Sequence, residues 1–319
     1  MTLHSLAARR RYAKLMASRR RRVPAGRRSR PRSRYTAKTR RYAPKRPMSK
    51  KRILDVTTVK KRDNMPCYTN MTNSGAGTTF SITAAYIRPN TSSDPLINHP
   101  TVMLWNATAR DLTNSAGTIN IRAVESARTS STPYMVGLKE TVEIQASSGM
   151  PWQWRRICFT YKGILPGSTP TTTYYPYRET SSGFVRVASP LSGDRNSGAT
   201  YDLFYLIFAG QNASDWTDPM VAKLDQTRIS VKYDKTRTLS CGNDDGSIRK
   251  YKHWHAMGKT LAYDDDENGE NMITNYQSVD SRVGMGDYYV VDLFRSRFGA
   301  TASDSLLFNP AATLYWHEK

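Results

Sequence analysis

From Met1 to Arg52 the chain carries 21 lysines and arginines and no aspartate or glutamate, the first acid being Asp55. The whole sequence holds 48 basic and 26 acidic residues, so positions 53–319 keep 27 and 26. A formal charge of +22 is therefore a +21 arm attached to a near-neutral body. The two parts face different physics, because like charges at that density oppose compaction while a balanced segment is free to collapse. Only the body has the composition to fold alone.

The arm reads Arg9-Arg10-Arg11, Arg19-Arg20-Arg21-Arg22, Arg27-Arg28, Arg30, Arg32, Arg34, Arg40-Arg41, Lys45-Arg46 and Lys50-Lys51-Arg52, punctuated by Pro24, Pro31, Pro44 and Pro47. Large aliphatics are too few to offset chain entropy, which predicts disorder over 1–52. Arginine outnumbers lysine sixteen to five. Guanidinium pairs bidentately with phosphate, so the bias favours a polyphosphate partner. Tyr12, Tyr35 and Tyr42 stand among the arginines, where rings can stack on unpaired bases. A solvated tail, a mitochondrial transit peptide and a membrane-surface segment compete with this reading. The prolines interrupt the amphipathic helix that import needs, and no apolar face or lipidation signal accompanies the charge. Arg19 to Arg22, and Lys45, Arg46, Lys50, Lys51 and Arg52, also read as nuclear address labels for host import receptors.

Residues 53–319 suffice for one large domain with a proper core. No run approaches a membrane span, and no apolar stretch precedes Arg9, so neither a membrane partner nor a signal peptide is predicted. Cys67, Cys158 and Cys241 are odd in number and lack Cys-x-x-Cys spacing, which predicts reduced thiols. Short β-branched and aromatic runs recur at Thr79–Ile87, Val102–Thr108, Val136–Ile144, Trp152–Tyr161, Phe184–Val187, Tyr201–Ala209, Arg228–Tyr233, Lys250–Tyr263, Tyr288–Phe294 and Thr313–Trp316. Turn-rich linkers separate them. Trp152–Tyr161 reads as a strand with both faces engaged. The best helix candidate is Pro219–Asp225. The expected class is all-β, an eight-stranded sandwich or jelly roll following a disordered basic arm, with 53–319 as the folded domain.

Candidate chemistry is thin. His253 and His255 flank Trp254 and share a strand face, but no third metal ligand accompanies them. Asp264-Asp265-Asp266-Glu267-Asn268-Gly269 begins like a calcium loop, yet its twelfth position is Asn275 where a bidentate Glu is needed. Gly258-Lys259-Thr260 lacks the earlier glycine of a phosphate loop, and no nucleophile motif appears. The reading is therefore no enzyme, no catalytic residue, no metal, no cofactor and no small-molecule substrate. Aromatics are dense at Trp152, Trp154, Tyr174, Tyr175 and Tyr177, which fits either core packing or subunit-interface anchors.

Three blocks carry a family resemblance. Lys51–Met65, Val136–Ile144 and Gly149–Phe159 (Gly-Met-Pro-Trp-Gln-Trp-Arg-Arg-Ile-Cys-Phe) look like segments of genomovirus capsid proteins, relatives of geminivirus coat proteins. The likeness runs in order from about Lys50 onward. It implies a viral jelly-roll subunit, a T=1 shell of about sixty identical copies, and a circular single-stranded DNA genome packaged in the host nucleus. The expected locations are the virion and the host nucleus. Packaging would be by phosphate neutralisation, indifferent to sequence. Lys60, Lys61 and Arg62, entering the first strand, are expected to join the arm in DNA contact. The alternative is a histone-like or ribosomal nucleic-acid binder that does not assemble.

Overall fold

The computed structural model describes residues 48–89, 99–242 and 244–319. The chain divides into two units, Met1–Met48 and Ser49–Lys319, and the architecture below is that of the second. Eight principal strands build it: β1 (Val59–Met65), β2 (Thr101–Asn106), β3 (Tyr134–Ala146), β4 (Trp152–Tyr161), β5 (Ser230–Leu239), β6 (Ser247–Thr260), β7 (Asp287–Ser296) and β8 (Leu306–Glu318). One sheet runs β1-β8-β3-β6 and the other β5-β4-β7-β2, with antiparallel neighbours throughout. Strands adjacent in space are mostly distant in sequence, and the chain crosses between the two sheets at every connection of these eight strands except β4–β5, which joins neighbours of one sheet. This is an eight-stranded jelly-roll sandwich.

The two sheets differ in what covers them. Along β1 and β8 side chains alternate strictly between buried and open, the pattern of a sheet with one face on the core and one on solvent. β4 and β7 are buried on both faces. The cause is the long β4–β5 connection, which lays α2 (Gly198–Ile207) and the 216–224 loop across the far side of β4 and β7. There Leu203, Phe204, Ile207, Phe208 and Trp216 pack on Ile157, Phe159, Tyr289 and Val291. Between the sheets, Trp154 stacks on Phe294 at 6.0 Å, and Phe308 meets Phe294 edge-on at 4.9 Å. Truncating one such core ring costs about 3–5 kcal/mol.

Three sequence expectations need correction. Tyr201–Ala209 is not a strand, because Gly198–Ile207 is helical. Thr200, Leu203, Phe204 and Ile207 are its buried residues, at helical spacing, but Tyr201, Tyr205 and Leu206 fill the gaps and disguise the period as a continuous apolar run. Pro219–Asp225 is a turn and no helix; Asp218 ties it by accepting from the Met220 N–H at 2.8 Å. The disorder expected over 1–52 does not hold for Lys50, Lys51 and Arg52, while 1–47 lie outside the described residues. Lys50–Thr57 forms α1, started by Ser49, whose hydroxyl accepts from Arg52 N–H at 3.3 Å.

Candidate nucleic-acid interface

Four charges inside the sandwich partner one another. Glu140 on β3, Arg156 on β4, Asp292 on β7 and Arg186 in the short strand Arg186–Val187 meet between the sheets, each essentially without exposure. Arg156 donates to Asp292 through Nε (2.7 Å) and Nη2 (2.9 Å), and to Glu140 through Nη1 (2.8 Å). Arg186 donates to Asp292 at 2.8 Å and to Glu140 at 3.3 Å, and the Trp154 indole N–H reaches Asp292 at 2.8 Å. Burial pushes the Glu140 carboxyl up, but Arg156, His255 and Arg186 outweigh it and hold it far below the usual range. Asp292 is likewise lowered, its burial overcome chiefly by Arg156. Two positive and two negative groups cancel, and the set joins both sheets at one point.

Several predicted site residues belong to this interior. Lys61 is 2% exposed, and its ammonium donates to the carbonyls of Arg122 (2.9 Å), Val124 (2.6 Å) and Ala127 (3.1 Å). Burial lowers its pKa, with Glu318 offsetting part of the effect. Its donors are spent on the β2–β3 connection, so the expected DNA contact is corrected to a structural one. The expected interface anchors Trp152, Trp154 and Tyr174 are also corrected. They are core residues, and the Tyr174 hydroxyl donates to the Leu104 carbonyl at 3.3 Å. Tyr175 and Tyr177 are half-buried, Tyr175 edge-on to Phe80 at 4.8 Å and Tyr177 stacked on Tyr276 at 5.1 Å.

The acidic loop also turns inward at one residue, for Asp265 forms a buried bidentate pair with Arg128 at 2.6 and 3.1 Å. Among the described residues no group of three potential metal ligands comes together. His253 and His255 stack at 5.9 Å on the inward face of β6, and burial followed by Arg156 lowers His253 to about 4. All three cysteines are free thiols, and burial raises Cys67 to about 12. Among the described residues no helix is long and apolar enough to cross a membrane.

A row of exposed charges lies on the uncovered face of β1-β8-β3-β6. The register sets them in rows: Lys60 beside His317, Arg62 beside Tyr315, Thr313 beside Lys139 and Lys139 beside Trp254, then Thr141 beside Lys252 and Glu143 beside Lys250. Lys60 pairs with Asp55 of α1 at 3.1 Å, Arg62 with Glu125 at 3.1 Å and Lys250 with Glu143 at 2.9 Å. Lys139 and Lys252 are exposed and have no ion-pair partner among the described residues. At the sandwich edge β5 adds Lys232, Lys235 and Arg237, with the Arg237 guanidinium 4.8 Å over the Tyr251 ring of β6. Seven basic residues on β5 and β6 stand against one acid, Asp234, whose carboxylate is held by Arg155 at 2.7 Å. Such a surface attracts a polyanion.

Sequence reasoning reached Lys60 and Arg62 on this face and missed the rest. The signal is present in Arg249-Lys250-Tyr251-Lys252-His253-Trp254, where bases and aromatics are interleaved, a pattern left unused in that reasoning. The arm residues Arg9, Arg10, Arg11, Arg19, Arg20, Arg21, Arg22, Arg27, Arg28, Arg30, Arg32, Arg34, Arg40, Arg41, Lys45 and Arg46 lie outside the described residues. Lys50, Lys51 and Arg52 form the first turn of α1.

No protein-family model matches the chain, and no curated protein matches it. Among solved structures, an unassembled KI polyomavirus VP1 pentamer aligns over 86% of this chain and 97% of that chain, at 11% identity and a TM-score of 0.13. A likeness at that score is weak and carries no argument.

Proposed function

We propose that this chain is a structural capsid subunit of a genomovirus-like particle. It self-assembles into a T=1 shell of about sixty copies and packages circular single-stranded DNA in the host nucleus. The observation that carries the reading is one chain joining a jelly-roll body with balanced charge to a +21 segment. The arm neutralises phosphate and releases counterions without reading sequence, and its basic clusters engage import receptors before assembly. The body, near neutral, closes around symmetry axes without self-repulsion. Exposed aliphatics on its connections, among them Ile119, Ile164, Val221 and Val283, supply apolar surface for neighbouring copies. No catalytic role is assigned to any residue.

The test is electron microscopy and gel filtration of the purified full chain, with and without circular single-stranded DNA, over a range of salt and pH. Uniform small icosahedral particles containing the DNA are expected. Monomers under every condition would sink the capsid reading. Monomers that still bind DNA would leave a binder that does not assemble. Removing residues 1–47 should abolish packaging and nuclear entry.

A further inference from the structure

Trp254 is 54% exposed, whereas Trp105, Trp152, Trp154, Trp216 and Trp316 are all buried. It stands on the uncovered sheet face, not in a loop. Its β3 neighbour, Gly137, is buried although it shares that face, because the indole lies across it. A Cβ added at Gly137 would meet the indole Cζ2 at 2.8 Å and the His255 carbonyl at 2.7 Å. The glycine thus provides the floor that lets the ring lie flat. Tyr315 stands alongside, with ring centroids 5.9 Å apart and planes inclined at 55°, and Lys139 is directly cross-strand. Lys252 projects from the same face two residues away.

We infer that Trp254 is a stacking platform for an unpaired base of single-stranded nucleic acid, with Lys139 and Lys252 taking the flanking phosphates. This rests on the nucleic-acid reading above and locates a contact on the folded body, apart from the arm. A flat exposed ring stacks on any base, and neighbouring ammonium groups hold the backbone without selecting sequence. The simpler role for the ring is to shield the glycine in its strand. That role needs no lysines around it and leaves their charge unanswered. A second copy of this chain fits less well, because the cores of protein interfaces are depleted in lysine and two lysines, Lys139 and Lys252, flank this ring.

The test uses the full chain and intrinsic fluorescence, since Trp254 alone among the tryptophans is open to solvent. Oligo(dT) should quench the red-shifted, acrylamide-accessible emission. Trp254→Phe should remove that quench while binding persists. At salt that weakens the arm's hold on phosphate, Trp254→Ala should bind about tenfold more weakly, with an unchanged salt slope. An abasic oligonucleotide or heparin, applied to the unaltered chain, should bind with little quenching. Oligo(dT) that binds and leaves Trp254 emission unchanged overturns the inference while the packaging function stands. Equal quenching by heparin, or a quench that follows protein concentration without nucleic acid, also overturns it. If oligo(dT) fails to bind at all, both readings fall.

Discussion

Charged side chains occur in two settings in this body, and the contrast explains what each does. Inside the sandwich, Arg156 and Arg186 each touch both Glu140 and Asp292, and every carboxylate oxygen of the set accepts a hydrogen bond. On the outer face of β1-β8-β3-β6, Lys139 and Lys252 project with no ion-pair partner among the described residues. The interior group is closed and neutral, so it joins sheets and offers nothing to a ligand. The exterior group is open and becomes complete only against an anion. Net charge, near zero for the body as a whole, hides this partition.

The sharpest way to break the contrast is to open the interior set. Arg156→Met leaves two buried carboxylates short of their main partner and should cost about 3–5 kcal/mol, read as a lowered urea midpoint. An unchanged midpoint would mean that the set contributes no more than a surface pair. Gly137→Ala should cost about 1–3 kcal/mol, because the new methyl meets backbone as well as the indole. Adding Trp254→Ala should restore only part of that loss, since the clash with the His255 carbonyl remains.

Acid titration probes the same interior by charge. His253 titrates near 4 in the folded state against 6.5 ordinarily, so the unfolded chain takes up the extra proton between those values. Stability should fall as pH drops from about 6.5 toward 4, and His253→Gln should flatten that segment. Glu140 and Asp292 have lowered pKa values, so their contribution is intact above the ordinary carboxylate range and is lost as pH falls below it. That steeper acid limb should survive in His253→Gln and shrink in Arg156→Met.

The smallest effect on stability should come from the two exposed lysines of the outer face. Lys139→Glu with Lys252→Glu should shift unfolding by about 0.5 kcal/mol or less. The salt dependence of single-stranded DNA binding should become shallower, by about 0.7 in log–log slope for each phosphate that is no longer neutralised. A large stability loss in this pair would show that the outer face is engaged in the fold itself.

Much of this was legible in the chain. The strand at Trp152–Tyr161 with both faces engaged is β4, and the runs at Val136–Ile144 and Thr313–Trp316 fall in β3 and β8 of the half-open sheet. Lys61 illustrates what was not legible. Sandwiched between Lys60 and Arg62, it looks like a third surface cation, but strand alternation turns it inward onto three carbonyls some sixty residues away in sequence. Trp152 and Trp154 look the same whether they anchor a neighbour or fill a core. The helix at Gly198–Ile207 escaped notice because residues between its buried positions are also apolar.

Local residue order alone determined the charge division between arm and body, the β period of the body and the glycine turns between strands. These depend on neighbours in the chain and on composition, which folding does not alter. Which charges cancel and which stay open was decided only by the tertiary structure. Glu140, Arg156, Arg186 and Asp292 come from four separate strands, and one sheet face is covered by a connection that crosses over while the other is left bare. Pairing over such distances is set by topology and burial, and no local pattern encodes it.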